Sequence, residues 1–168
     1  ILGLAMTADA DPRRGRRGAV AEAATAPQLP TAVSSAISST FPGATVGEFE
    51  EDSEDGVSLY IVSLSNGAEV EVTASGVVIV ASYGTSMGQI PAAAAKALQQ
   101  AGAGAALDEV KRSEIHAELF DGGKVVKLPQ PRTEYAATFK KGGQLGEISV
   151  KADGSVAVFR IEANATRM

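Results

Sequence analysis

Gly84-Thr85-Ser86-Met87-Gly88 is a literal G-x-S-x-G, and Asp108 and His116 follow it in the chain order of an α/β-hydrolase triad. A serine of this kind becomes a nucleophile only when a strand–turn–helix elbow in a parallel sheet aims it at a base and an oxyanion hole. Here the motif lies between antiparallel strand patterns in a chain about a third of hydrolase length, and small Gly, Ser and Thr are also what joins two units. No catalytic residue is therefore expected, and 84–89 reads as a linker. Glu48-Phe49-Glu50-Glu51-Asp52-Ser53-Glu54-Asp55-Gly56 offers carboxylates to a hard cation, but its spacing is not that of an EF-hand: counted from Asp52, the twelfth position is Ser63. The run reads as a solvated edge and turn whose charges oppose edge-to-edge pairing, or as a docking patch for a basic partner. Arg13, Arg14, Arg16 and Arg17 stand near the apolar Ile1, Leu2, Leu4 and Met6, a pairing of signals suited to an anionic membrane or an acidic protein surface. With one His and no Cys, thiolate zinc sites, iron–sulfur clusters, thiol nucleophiles and multi-histidine sites within one chain are excluded. Neither a metal nor a cofactor is expected.

The elements that would position these residues follow from composition and periodicity. Ala and Gly supply 48 of 168 residues and only eight are aromatic, so the core must be built from Val, Ile, Leu and Ala. The net charge of −5 is unevenly spread. Residues 29–89 hold eight acids and no Lys or Arg, residues 90–168 hold eleven bases and nine acids, and residues 1–28 hold four Arg and three acids. The acidic half makes nucleic acid an unsuitable partner.

Apolar residues at Leu29, Val33, Ala36, Ile37 and Phe41 have the spacing of a helix with one buried stripe, opened by Pro30 and stopped by Pro42-Gly43. Ile90, Ala94, Ala97, Leu98 and Ala101 form a second stripe, opened by Pro91 and ended by Gly102. Strand-like alternation follows each helix. Thr45–Glu51, Val57–Leu64, Ala68–Ala74 and Val77–Tyr83 are separated by the turns at Asp55-Gly56, Asn66-Gly67 and Ser75-Gly76. Ala106–Leu119, Glu134–Lys140, Gln144–Lys151 and Ser155–Ile161 repeat the order. The expected fold is α+β: two tandem repeats at 29–83 and 90–162, each a helix followed by a four-stranded antiparallel sheet. Residues 1–28 read as a leader and tail, and 163–168 as a C-terminal tail. The second copy carries 14 extra residues between its opening Pro and its Tyr, assigned to an inserted loop at about 121–132.

The run from Leu29-Pro30-Thr31 to Phe41-Pro42-Gly43-Ala44-Thr45-Val46, with Asp55-Gly56, Tyr60-Ile61-Val62 and Asn66-Gly67-Ala68-Glu69-Val70, resembles the PepSY-like group, which includes the β-lactamase-inhibitor-protein-like domains of bacterial exported proteins. The second copy keeps Ile90-Pro91, Tyr135 and Asp153-Gly154. The resemblance implies a noncatalytic, periplasmic or extracellular module that binds other proteins, as an accessory subunit of a larger assembly. It also leaves open an inhibitor or chaperone of a secreted hydrolase and a small-ligand or ion-binding envelope protein. Ala8-x-Ala10 after an apolar start fits the end of a signal peptide. The tail has too few core formers to fold alone, so its Ile1, Leu2, Leu4, Met6, Arg13, Arg14, Arg16 and Arg17 are the first candidates for partner or membrane contact. Asp121, Lys124, Lys127 and Arg132 of the inserted loop are the second set.

Overall fold

The computed structural model describes residues 28–162. Helix α1 spans Thr31–Thr40 and buries Val33 and Ile37, one helical turn apart, while the Phe41 N–H closes its last turn on the Ile37 carbonyl. Serine is a middling helix former, and here the Ser38 and Ser39 hydroxyls donate back to the carbonyls of Ser34 and Ser35, which satisfies them without leaving the helix. Helix α2, Ala92–Ala101, buries Ala94 and Leu98 in the same way.

The strands are β1 (Val46–Glu54), β2 (Val57–Leu64), β3 (Ala68–Thr73), β4 (Val78–Thr85), β5 (Leu107–Phe120), β6 (Lys124–Lys141), β7 (Gln144–Lys151) and β8 (Val156–Glu162). All eight lie in one antiparallel sheet, in chain order from β1 to β8. This overturns the expectation of two tandem repeats, each with a sheet of its own. β4 pairs with β5 from Val80 opposite Ile115 to Thr85 opposite Val110, fusing the strands before and after α2 into a single surface. The physical reason is the edge. Two separate sheets would leave β4 and β5 each with a row of unpaired backbone groups, and pairing them satisfies both rows.

Both helices lie on one face. Beneath α1, Val33, Ile37 and Phe41 pack with Val62, Leu64, Val70, Val72 and Ala81; beneath α2, Ile90, Ala94 and Leu98 pack with Ala137, Phe139, Ile148 and Val150. The glycines of two hairpin turns set how close each helix can come. Gly76 lies under the Ala32 carbonyl and Gly154 under that of Ala93, both with positive φ.

The stretch expected as an inserted loop is mostly strand. Asp121–Gly123 make the tight turn, and Lys124 begins β6. Between Arg132 opposite Ile115 and Lys127 opposite Ala117 the register skips, so Leu128-Pro129-Gln130-Pro131 bulge out of the ladder, the place in a sheet that tolerates proline. Beyond the bulge the β5–β6 hairpin forms an arm. Ala117, Leu119 and Val125 pack it on Val57, Leu59 and Ile79, and Gly123 reaches the β1–β2 turn at Asp55.

Candidate functional site

Alternate residues of each strand face away from the helices, and the side chains there are of a different kind. Glu71 of β3 stands between Ile61 of β2 and Val80 of β4, and Val80 in turn stands beside Ile115. One step along, Ser82 faces Ser113, their hydroxyls 3.0 Å apart, and Ser113 is opposite Glu134. Across these strands runs an open trough of about 330 Å³ whose charged lining is Glu54, Glu71, Glu134, Glu147 and Arg160. No helix among the described residues covers it. Val80, Ile115 and Val158 give it an apolar floor, so the face combines area to bury with charge to orient a partner.

One carboxylate is fully engaged within the fold. Glu134 is 5% exposed, accepts a 2.6 Å bond from the Ser149 hydroxyl and receives the Arg132 Nε at 2.8 Å. Arg132 turns its Nη1 to Glu118, also at 2.8 Å, and so ties the arm to the inner half of the hairpin across the bulge. The Glu118 hydrogen bond, supported by Glu134, holds the guanidinium still more firmly in its charged form. On the helix-covered side of β4, Arg112 lies 4.7 Å above the Tyr83 ring and 2.7 Å from Glu114. Burial, with the nearby Glu114 charge, raises the Tyr83 phenol above its ordinary value.

Glu71 is different. Burial raises its carboxyl above the ordinary 4.5, and the charges of Glu54, Glu69, Asp52 and Glu147 push it further the same way. A raised carboxyl means that the folded chain holds its proton to higher pH than the unfolded chain. The contribution of Glu71 to stability therefore falls as pH rises from the ordinary glutamate value through the raised one, and recovers on acidification. Glu71→Gln is expected to stabilise the chain at neutral pH and to remove this part of the slope in denaturant titrations carried upward from the ordinary glutamate value. An unchanged slope would show that the charge at Glu71 is already compensated.

The hydrolase-like serine is not placed for its triad. Thr85 pairs with Val110, so Ser86 sits at the Glu109–Lys111 end of β5, whereas His116 lies six residues further along that strand, roughly 20 Å away. His116 instead meets Phe41 edge-on, ring centroids 6.2 Å apart, and its buried Nε2 has no hydrogen-bond partner among the described residues. Ser86→Ala is expected to change stability by less than about 0.5 kcal/mol and to leave any activity intact, since the side chain is exposed between β4 and a short 3-10 turn. Labelling of Ser86 by a fluorophosphonate probe would overturn this. The acidic run Glu48–Gly56 forms edge strand β1 and its turn, and no cluster of three metal-ligating side chains occurs among the described residues.

Of the candidate partner residues, Ile1, Leu2, Leu4, Met6, Arg13, Arg14, Arg16 and Arg17 lie outside the described residues. Asp121 is exposed in the arm's turn, Lys124 and Lys127 are exposed on β6, and Arg132 is held in ion pairs with Glu118 and Glu134. Sequence reasoning missed Glu71, Glu147 and Arg160. The alternation Ala68-Glu69-Val70-Glu71-Val72 carried a signal for the first, because it puts both glutamates on the face opposite the valines.

This architecture, a single antiparallel sheet of eight sequential strands with two helices on one face, recurs in solved structures. A BLIP-like protein from Bacteroides fragilis NCTC 9343 superposes with a TM-score of 0.56 over 86% of this chain and 96% of its own, at 17% identity. The fold is BLIP-like. A candidate periplasmic protein from Bacteroides eggerthii DSM 20697 superposes with a TM-score of 0.58, 14% identity and coverage of 83% of this chain and 94% of that one. A DUF2874 family protein from Bacteroides uniformis ATCC 8492 gives 0.55 and 14%, over 80% and 90%. No family model matches the chain, and no curated protein matches it in sequence. At these identities the likeness defines the BLIP-like fold and nothing of the target.

Proposed function

We propose that this chain is a noncatalytic, exported module that binds another protein through the open face of its sheet, as an accessory subunit of a larger assembly. The observation that carries the reading is the trough itself: the part of the sheet face that neither the helices nor the arm fills, with an apolar floor at Val80, Ile115 and Val158 and carboxylates at Glu54, Glu71 and Glu147. Holding Glu71 among like charges costs stability, and proteins keep such costs where binding relieves them. The likeness to BLIP-like and candidate periplasmic proteins supports an exported binding module, and the helix and strand motifs support kinship with the PepSY-like group. Inhibition or chaperoning of a secreted hydrolase is the second reading, favoured by the concavity of the face.

The test is native purification of the tagged chain from the organism that makes it, with mass spectrometry, beside a Glu71→Lys, Glu147→Lys variant. A stoichiometric protein partner that is lost with the variant, while circular dichroism shows the fold retained, supports the reading. A partner retained at full stoichiometry by the variant moves the binding surface off this face. A co-purifying peptidase or β-lactamase selects the inhibitor reading.

A further inference from the structure

The sheet ends in two unlike margins. At one, β1 carries Glu48, Glu50, Glu51, Asp52 and Glu54 among its nine residues, charges that repel a like strand brought alongside. At the other, β8 presents Val156-Ala157-Val158-Phe159-Arg160-Ile161, with one charge in six residues. Among the described residues β8 is paired on one side only, with β7.

The large apolar side chains of β8 form one row. Val156 is opposite Val150, Phe159 opposite Ile148 and Ile161 opposite Gly146, so all three point to the helix-covered side. Val156 and Phe159 are three residues apart, which in a regular strand would put them on opposite faces. The register skips a residue between the Ser149–Val158 and Val150–Val156 pairs, and this bulge at Ala157 brings both to one side. Ile148 and Val150 lie in the core beneath α2, yet the row beside them is 58%, 50% and 50% exposed at Val156, Phe159 and Ile161. Phe159 stacks on Phe139, so the core continues through its ring to the open margin.

We propose that β8 pairs antiparallel with β8 of a second copy, across a two-fold axis near Phe159, to give a closed dimer with one sixteen-stranded sheet. An axis perpendicular to the sheet keeps the helices of both copies on the same side, so each apolar row meets its own equivalent. With the axis at Phe159, Arg160 stands opposite Val158 of the second copy, whereas an axis at Arg160 would set like charges face to face. Half of each side chain in the row is about 75 to 100 Å², so the two rows together remove about 500 Å² of apolar surface from water. The paired strand edges, whose free N–H and C=O groups find partners, bring the total toward the roughly 1,200 Å² at the lower end of specific interfaces. A dissociation constant on the order of 10 to 100 µM is expected for an interface of that size. The acids of β1 keep the opposite margin out of such pairing, so assembly closes at two copies instead of extending into a filament. Val158 and Arg160 line the trough at this same margin, so the dimer sets two troughs side by side and can hold a two-fold or repetitive partner at both. That consequence rests on the binding face proposed above; the association itself is measured without a partner.

Sedimentation equilibrium of the full chain is expected to show its mass doubling between about 1 µM and 1 mM, with no larger species. Ile161→Lys and Val156→Lys, each leaving Phe159 in place, should weaken the association at least about tenfold with circular dichroism unchanged. The chain lacks cysteine, so a nitroxide on Arg160→Cys is a unique label. In the dimer the two labelled Cα atoms lie two residues and one strand spacing apart, about 8 Å, and frozen spectra should show dipolar broadening. A label on Glu48→Cys, at the far margin of each sheet, should show none. A chain that stays monomeric at about 1 mM overturns the inference; if deleting residues 163–168 then permits association, the chain's own end covers β8. Broadening that appears only when Arg160→Cys and Glu48→Cys chains are mixed overturns it in favour of head-to-tail pairing. Association that both lysine variants leave unchanged overturns it by placing the contact elsewhere. Glu71→Lys, on β3, should leave the association intact whatever it does to partner capture, so the dimer and the binding face fail separately.

Discussion

Phe139→Ala is expected to lower the free energy of unfolding by about 3 to 5 kcal/mol, the largest loss from any single truncation among the described residues. Phe139 is the largest of the fully buried side chains, 2% exposed in a chain with few aromatics, and it anchors the cluster beneath α2 with Leu98, Ile148 and Val150. Its ring lies directly against Gly146 on the neighbouring strand, in space where any Cβ at that position would collide with it, and stacks on Phe159 of β8 at 6.0 Å. Alanine would empty a volume that Gly146 cannot fill, so the cost includes a cavity as well as lost transfer free energy. Urea unfolding of the two proteins measures it. A loss under about 1 kcal/mol would show that β6, β7 and β8 collapse onto the gap, contrary to close packing at this site.

The second large effect is at Gly154, and it comes with its own control. Gly154 and Gly67 both lie in hairpin turns at φ +85°, so alanine pays the same conformational penalty at each, about 1 to 2 kcal/mol. They differ in what the new methyl group would meet. At Gly67 nothing lies within 4 Å, whereas at Gly154 the Ala93 carbonyl oxygen would be 2.7 Å away, and a helix backbone cannot step aside as a flexible side chain can. Gly154→Ala is expected to exceed Gly67→Ala by about 1 to 3 kcal/mol, because α2 must lift from β6 and β7. Gly76→Ala should behave alike under α1, where the Ala32 oxygen would be at 2.6 Å. Equal losses at Gly154 and Gly67 would mean that α2 shifts away from the turn at little cost.

These two sites also mark where sequence reading succeeds and where it stops. Helix positions were legible because Val33 and Ile37, or Ala94 and Leu98, recur at a spacing that only a helix turns to one side. The turns at Asp55-Gly56, Asn66-Gly67 and Asp153-Gly154 were legible because they need positive φ. The pairing of β4 with β5 was not. A strand bearing Val78-Ile79-Val80-Ala81 reads the same whether its far edge meets solvent or another strand, since alternation reports the two faces of a sheet and says nothing of its edges. Pro129 and Pro131 misled for a related reason: they forbid ladder hydrogen bonds at two residues, which a loop and a bulge satisfy equally. The trough was hidden because its lining comes one to three residues at a time from seven strands, from Glu54 of β1 to Arg160 of β8, and no local window contains it.

The strict chain order of the sheet has a consequence for how the protein forms. Each strand's first neighbour is the one made just before it, so loop closures are short at every step except between β4 and β5, where the connection through α2 runs from Ser86 to Ala106. Topologies dominated by such local closures fold quickly, and during synthesis the sheet can grow one strand at a time from β1. The growing margin is always the newest strand. The acid-rich β1 guards the finished margin against stray pairing throughout, while β8, with Val156, Phe159 and Ile161 half exposed or more, becomes a margin only when the last strand has been added.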